Sequence, residues 1–182
     1  MSFRAFIAVD VDCGPELRKA IGELKDFGKA LKPVSPDNVH VTLKFLGEIH
    51  ESAVPELEAI MRQAVMGVQP FNVRLVDVGV FPNLRGPRVV WVGMEGAEPL
   101  VKMASSIEDG CELIGFPKER RPFSPHLTLA RVREGFKPDL ADLIKDSENK
   151  EFGVFPVKGI KLKKSVLTPA GPIYSDVLTV DL

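Results

Sequence analysis

The strongest constraint on this chain is a short pattern that occurs twice. HVTLKFLG at residues 40–47 and HLTLAR at residues 126–131 share His-x-Thr-Leu, about half a chain apart. Alternate side chains of a β-strand point to the same face, so each copy places an imidazole beside a hydroxyl and turns the intervening apolar residues toward a core. The chain has 3 histidines, and two of them occupy these matching positions. The repeat therefore predicts two equivalent strands, each with one chemical face.

The composition limits the class of protein and its partners. The 182 residues are 45% hydrophobic, which is ample for a folded core, and the formal net charge is -1. This charge argues against a protein that coats nucleic acid by bulk electrostatics. No apolar run approaches membrane-spanning length and the N-terminus lacks a signal-peptide core, so we expect a cytoplasmic protein that is not associated with a membrane. Cys13 and Cys111 have no CxxC spacing and no neighbouring histidine, and we interpret them as buried free thiols.

Hydrophobic periodicity predicts strands and helices that alternate along the chain. We predict strands over 3–9, 71–80, 88–94, 152–167 and 173–180 beside the two motif strands, and helices from Pro15 to Leu31, from Ser52, from Pro99 and over 138–144. A His-x-Thr strand accompanied by helices in each half predicts an α+β fold. We expect two pseudo-symmetric lobes of antiparallel sheet, with outer helices, around a central cleft. No linker separates domains, so residues 1–182 are predicted to form a single domain of two intertwined lobes.

The paired motifs favour acid-base chemistry at phosphorus. Histidine, with a pKa of about 6.5, can remove a proton on one side of a reacting group and donate one on the other near neutral pH. The hydroxyls of Thr42 and Thr128 suit the oxygens of a phosphate. The reaction class that joins these features is in-line displacement at phosphorus without a metal, in which one of His40 and His126 activates water and the other protonates the departing oxygen.

Other catalytic arrangements lack their motifs in this sequence. Neither His-x-His, His-Glu-x-x-His nor a carboxylate cluster surrounds the motifs, and we interpret His50 as a solvated loop histidine, so no metal is expected. The chain has no Gly-x-Ser-x-Gly elbow for a serine nucleophile. It also has no P-loop and no dinucleotide-binding glycine pattern, so no cofactor is expected.

The two motifs resemble the paired signatures of the two-histidine phosphoesterases, in particular the 2′-5′ RNA ligase or RNA 2′,3′-cyclic phosphodiesterase family. Residues 4–8 (RAFIA) and 171–174 (GPIY) are also similar to that family. The resemblance implies metal-independent opening of a 2′,3′-cyclic phosphate at an RNA 3′ end, which leaves a 2′-phosphomonoester. It implies His40 and His126 as the general acid and base, with His40 as the acid, and Thr42 and Thr128 as donors to the phosphate oxygens.

The resemblance leaves alternatives open for the physiological reaction. Family members are associated with joining tRNA halves through a 2′-5′ linkage, which is the reverse chemistry with a 5′-hydroxyl in place of water. Binding of RNA ends without turnover and action on a small cyclic nucleotide are further alternatives. We expect a monomer, because the internal pseudo-symmetry already supplies both halves of the site.

Two basic residues of the motif strands have two interpretations each. Arg131 fits the second motif and would neutralise phosphate charge, but alternation counted from Thr128 places it on the opposite face unless a bulge or the strand end intervenes. The alternative is a surface arginine. Lys44 shares the parity of His40, so it either borders the cleft or is an exposed lysine at a strand end.

The loop before the second motif is basic and broken by prolines. It contains Arg120, Arg121 and Phe123 and leads directly into the second motif strand. These side chains either contact phosphates and stack on an RNA base or form a solvated loop. The sequence does not distinguish the two interpretations.

Overall fold

Two antiparallel β-sheets with packed helices form the molecule in a computed structural model that describes all 182 residues. The strands are β1 (Ser2–Asp10), β2 (Leu31–Pro33), β3 (His40–His50), β4 (Phe71–Phe81), β5 (Val89–Glu95), β6 (His126–Val132), β7 (Glu151–Val157), β8 (Gly159–Thr168) and β9 (Gly171–Asp181). The helices are α1 (Pro15–Glu23), α2 (Val54–Val65), α3 (Glu98–Leu113) and α4 (Ala141–Asp146).

The chain passes repeatedly between the two sheets. The four-stranded sheet has the order β3-β1-β8-β9, and the five-stranded sheet has the order β2-β6-β5-β4-β7. Helix α2 packs against β9 and α3 against β3, whereas α1 contacts β7 and α4 contacts β4. The α+β fold with two antiparallel sheets and covering helices is therefore confirmed. None of the helices is long and apolar enough to cross a membrane.

The two motif strands lie where the sheets adjoin. Strand β3 is the edge of the four-stranded sheet, and β6 is next to the edge of the other sheet. The edge strand beside β6 is the short β2, which pairs only with residues 130–132. Strands β3 and β6 contact each other. The fold therefore brings the two motif strands together from different sheets.

The apolar residues of the motifs anchor both strands in the core, as predicted. Val41, Leu43, Leu127 and Leu129 are 0%, 4%, 0% and 1% exposed. They belong to one cluster of 40 buried residues that includes both sheets. Because burial of each such side chain contributes about 1.5–3 kcal/mol, the packing face fixes the orientation of the chemical face.

The first helix ends earlier than the apolar pattern predicts. Helix α1 stops at Glu23, and residues Leu24–Ala30 form 3-10 turns interrupted at Gly28, whose φ of 58° lies in the left-handed region. Leu31, which was expected on the helix, begins β2. The strand is only three residues long, so it carries no periodicity of its own.

Candidate active site

Both motif strands contain a β-bulge at the same place. The leucine of His-x-Thr-Leu, Leu43 in β3 and Leu129 in β6, is skipped in the pairing with the neighbouring strand. The following residue, Lys44 or Ala130, is buried together with the leucine, and alternation resumes one position later. The seven residues from each histidine consequently have the same order of buried and exposed positions. A bulge re-aims the side chains that follow it, and here it does so twice.

The bulge brings the fifth residue after each histidine to the side of the histidine and threonine. These residues are Phe45 in β3 and Arg131 in β6, and both are exposed. The positive charge of Arg131 contributes to lowering the pKa of His40 and opposes the burial that raises the pKa of Tyr174. Strand β6 thus contains the bulge that allows Arg131 to face the same side as His126 and Thr128.

Of the two interpretations of Lys44, the exposed lysine at a strand end is wrong. Lys44 is 2% exposed, because the bulge turns it to the packing face. Its Nζ donates to Glu108 Oε2 at 2.8 Å and to the backbone oxygen of Pro117 at 3.0 Å. Lys44 therefore joins the motif strand to helix α3 and to the start of the basic loop.

The two histidines are oriented in the same way. Nδ1 of His40 lies 2.7 Å from the backbone oxygen of Asn38, and Nδ1 of His126 lies 2.7 Å from that of Ser124. A carbonyl oxygen only accepts hydrogen bonds, so Nδ1 must carry the proton in both rings. Each Nε2 is left as the atom that takes up or releases a proton. Asn38 is itself held, because its side chain donates to the backbone oxygen of Pro172 at 3.2 Å.

His40 is enclosed by aromatic side chains. The ring of Phe6 lies 4.9 Å from the imidazole, and Tyr174 contacts it edge-on at 5.2 Å. Burial lowers the pKa of His40, and the charges of Lys163 and Arg131 lower it further. The hydrogen bond to Asn38 and the charge of Asp10 only partly oppose these effects. The free protein therefore holds His40 neutral at pH 7.

A network of four charged groups lies beside His40. Asp10 is directly opposite His40 in the β1–β3 pairing. Its two carboxylate oxygens and those of Asp176 are each 2.6–2.7 Å from Lys161 or Lys163 Nζ. Burial alone would raise the pKa of Asp10, but the hydrogen bonds from the two lysines lower it overall. The network therefore places both a positive and a negative charge near the imidazole, and Lys163 and Asp10 shift its pKa in opposite directions.

His126 has a different wall. Phe81 contacts its ring edge-on at 5.1 Å, and Trp91 packs on Phe81 at 5.1 Å. The indole of Trp91 covers Gly79 so closely that an added Cβ would lie 2.1 Å from it. This glycine lets the tryptophan lie low on the sheet, and the stack of aromatic rings then supports His126.

A cavity of about 650 Å³ joins residues of the two motifs. Thr42 and Phe45 line it from β3, His126 lines it from β6, and Arg121 and Phe123 contribute from the basic loop. His40 is not part of this lining and lies against Phe6 and Tyr174. The structure thus brings Thr42 and His126 to one cavity, and Arg131 to the neighbourhood of His40. Thr128 is half-buried on the same face as His126.

The remaining histidine and the cysteines lie elsewhere. His50 is exposed at the end of β3, where its Nδ1 accepts from the backbone N–H of Ser52 at 3.3 Å and caps a 3-10 turn. Cys111 is a buried free thiol, and burial raises its pKa to about 11. Cys13 is free but only half-buried, which corrects the prediction for that residue. No group of three or more His, Cys, Asp or Glu side chains could hold a metal ion.

Several residues beside the histidines were not predicted as part of the site. Phe6, Tyr174 and Phe81 contact the imidazoles from strands far away in the sequence. Phe6 and Tyr174 do fall in the segments that carried the family resemblance. Phe81 has no signal in the sequence, because its contact depends on how β4 and β6 are placed in the sheet.

Comparison with known proteins places this architecture in a family. A family model described as the 2′-5′ RNA ligase superfamily matches residues 14–165, which include both motif strands. This chain belongs to the 2′-5′ RNA ligase superfamily. Within the superfamily it is 41% identical over 182 residues to the RNA 2′,3′-cyclic phosphodiesterase of Methanothermobacter thermautotrophicus, covering 97% of each chain. It is 36% identical over 176 residues to the protein of that name from Archaeoglobus fulgidus, covering 96% of this chain and 97% of the relative.

Two solved structures have the same fold over nearly their full length. The protein TT0787 of Thermus thermophilus matches with a TM-score of 0.78 and 33% identity, covering 98% of this chain and 97% of that one. Escherichia coli LigT, solved in complex with 3′-AMP, matches with a TM-score of 0.78 and 26% identity, covering 100% and 99%. The likeness therefore extends over both lobes.

Proposed function

We propose that this protein is a monomeric, cytoplasmic enzyme that hydrolyses the 2′,3′-cyclic phosphate at an RNA 3′ end to a 2′-phosphomonoester. The reaction uses His40 and His126 as a general acid-base pair and needs no metal. The names of the relatives support the substrate, and the 3′-AMP bound to LigT is a nucleotide of the expected size. The observation that carries the mechanism is the matched orientation of the imidazoles, each with Nδ1 bound to a backbone oxygen two residues earlier.

The proposed reaction is a single in-line displacement. A water oxygen forms a bond to phosphorus while the bond from phosphorus to the 3′ oxygen breaks. Nε2 of the base accepts a proton from the water, and Nε2 of the acid gives its proton to the 3′ oxygen. The Thr42 and Thr128 hydroxyls donate to the non-bridging oxygens, and the guanidinium of Arg131 offsets their negative charge. Solvent exchange then restores both histidines to their starting protonation states.

In this proposal His40 is the acid and His126 is the base. The lowered pKa of His40 means that its ring is neutral in the free protein at pH 7. A phosphate anion beside Nε2 favours the protonated ring, because an opposite charge nearby raises the pKa of an imidazole. His40 therefore acquires its proton as the substrate binds. His126 lines the open cavity, from which water can reach its Nε2.

The direct test is turnover of a short RNA with a 2′,3′-cyclic phosphate end in the presence of a chelator. We expect conversion to a 2′-phosphate, identified by its sensitivity to a phosphomonoesterase and by mass. Cyclic ends that persist under these conditions, or activity that needs an added metal, would contradict the proposal. RNA that binds without reacting would favour the alternative of an end-binding protein.

The same assay separates hydrolysis from 2′-5′ ligation. Supplying an RNA with a 5′-hydroxyl beside the cyclic end allows joining, and resistance of the product to a 3′-5′-specific nuclease identifies a 2′-5′ linkage. We expect hydrolysis to dominate because water is far more concentrated than any acceptor end. A joined product as the main species would instead assign ligation of RNA such as tRNA halves.

A further inference from the structure

A second cavity adjoins the first one, and neither the histidines nor the threonines of the motifs line it. It has a volume of about 560 Å³, and its lining includes Phe45, Phe116 and Arg120. Four residues line both cavities, namely Phe45, Lys118, Glu119 and Arg121. Each volume lies in the range of about 300–1,000 Å³ that is typical of small-ligand sites. Together the first (inner) and the second (outer) cavity exceed the volume that is typical of one small-ligand site.

Two cations along the outer cavity have no partner. On helix α3, Glu108 pairs with Lys44, and Asp109 and Glu112 share Lys118. Glu119 also lines this cavity and adds one negative charge against the two arginines. Arg120 and Arg121 are exposed and belong to no ion pair. Each phosphodiester of an RNA backbone carries one negative charge, which is complementary to these arginines.

Aromatic faces accompany these cations. Phe45 is 56% exposed between the two cavities, and the half-buried Phe116 lines the outer one. Exposed aromatic rings beside arginines are the arrangement by which proteins hold unpaired bases of single-stranded RNA. A double helix and an acidic peptide present no unpaired base that could stack on such a ring.

The segment that carries the arginines is held in place from below. The backbone oxygen of Pro117 accepts from the buried Lys44, and Glu108 Oε2 accepts from the backbone N–H of Glu119 at 3.2 Å. Both anchors lie within three residues of Arg120 in the sequence. A preorganised segment loses less conformational entropy on binding than a free loop does.

We propose that the outer cavity binds the RNA chain on the 5′ side of the reacting nucleotide, so that the protein selects oligonucleotides over cyclic mononucleotides. Arg120 and Arg121 contact backbone phosphates, and Phe45 or Phe116 stacks on a base. This inference rests on the proposed function, because it takes the inner cavity as the place of the terminal nucleotide.

The test compares kcat/KM for a 2′,3′-cyclic mononucleotide and for a trinucleotide with the same cyclic end, using the full-length protein. We expect the wild type to prefer the trinucleotide by at least tenfold. In the Arg120→Ala/Arg121→Ala variant this preference should fall by about tenfold. The slope of log(kcat/KM) against log[salt] for the trinucleotide should decrease by about 1.4, since each phosphate contact on single strands contributes about 0.7. Arg18→Ala, an exposed arginine on α1, is the matched control and should leave the preference unchanged.

Equal kcat/KM values for both substrates in the wild type, or equal losses on both in the double variant, would overturn the inference. Fluorescence anisotropy measures binding of an RNA that lacks the cyclic end, so it tests the outer cavity separately from the proposed reaction. If no cyclic substrate is hydrolysed, the catalytic proposal fails. If this RNA binds more weakly to the double variant but not to Arg18→Ala, the outer cavity would still be supported as an RNA-binding site.

Discussion

Glu108→Gln is expected to destabilise the protein more than Lys44→Met, although the two residues form one ion pair. Lys44 Nζ lies 2.8 Å from Glu108 Oε2, and the side chains are 1% and 17% exposed, respectively. The lysine is the more deeply buried partner. When Glu108 loses its charge, the remaining ammonium cannot regain water, whereas the carboxylate that remains in Lys44→Met can do so in part.

The magnitudes follow from this difference in burial. Removing one partner of a buried ion pair costs about 3–5 kcal/mol, and the lower end applies here because the Gln oxygen still accepts from the ammonium. We expect a loss of about 3 kcal/mol for Glu108→Gln and about 1 kcal/mol for Lys44→Met. The double variant contains neither charge and should lose about 1 kcal/mol, which corresponds to a coupling energy of about 3 kcal/mol.

Urea unfolding followed by circular dichroism measures these changes, provided that the m-value stays constant. For a chain of this length the Glu108→Gln variant should also melt about 6–12 °C below the wild type. A loss for Glu108→Gln no greater than that for Lys44→Met would refute the reasoning, and so would additive losses in the double variant. Either result would mean that solvent reaches Lys44 far more easily than its burial indicates.

Three further predictions concern the catalytic groups. His40→Ala and His126→Ala should each lower kcat by roughly 10²–10⁴-fold. A substrate with sulfur in place of the 3′ oxygen needs no acid and should restore only the His40 variant; restoration of the His126 variant would reverse the assignment. In NMR titrations of the free protein, His40 should have a midpoint below about 6.5, because burial lowers its pKa. Between the pKa of His40 in the folded protein and about pH 6.5, the unfolded chain then binds more protons than the folded chain. The contribution of His40 to stability is therefore complete above about pH 6.5 and is lost as the pH falls through the folded pKa. His40→Gln should flatten the pH dependence of the free energy of unfolding, and an unchanged pH dependence would contradict the lowered pKa of His40. Thr42→Val and Thr128→Val should each lower kcat by about 10²-fold, whereas serine at either position should retain most of the rate.

The motifs predicted the packing face of the site well, because it depends on local alternation. Val41 and Leu43 in one strand, and Leu127 and Leu129 in the other, are buried as expected. Counting alternate residues along the strand fails at the residue after Leu43 and Leu129, where the bulge adds a position to each strand. It turned Lys44 inward and Arg131 toward the cleft, the reverse of what an unbroken period of two predicts. A bulge depends on the partner strand, so the motif sequence alone does not reveal it.

Long-range contacts account for most of what the sequence could not predict. The sequence identifies Phe6, Phe81 and Tyr174 only as apolar or aromatic residues of strands. Their contacts with the histidines require β1 to lie between β3 and β8, and β4 to lie two strands from β6. The ion pair of Lys44 and Glu108 spans 64 residues and has no local signature. The sequence therefore predicts the chemical groups, while the order of the strands determines their surroundings.

The two halves of the site are alike where the proposed reaction is symmetric and unlike where it has a direction. One proton must leave and one must arrive, and each half supplies a histidine held through Nδ1 and a threonine two residues later. In the proposed in-line displacement, however, water must approach phosphorus on one side and the 3′ oxygen must leave on the other. The position after the bulge accordingly carries Phe45 in one strand and Arg131 in the other. His40 lies against a charged network, whereas His126 opens onto a cavity. The repeated motif can supply the acid-base pair, but the direction of the reaction must come from residues that are not repeated.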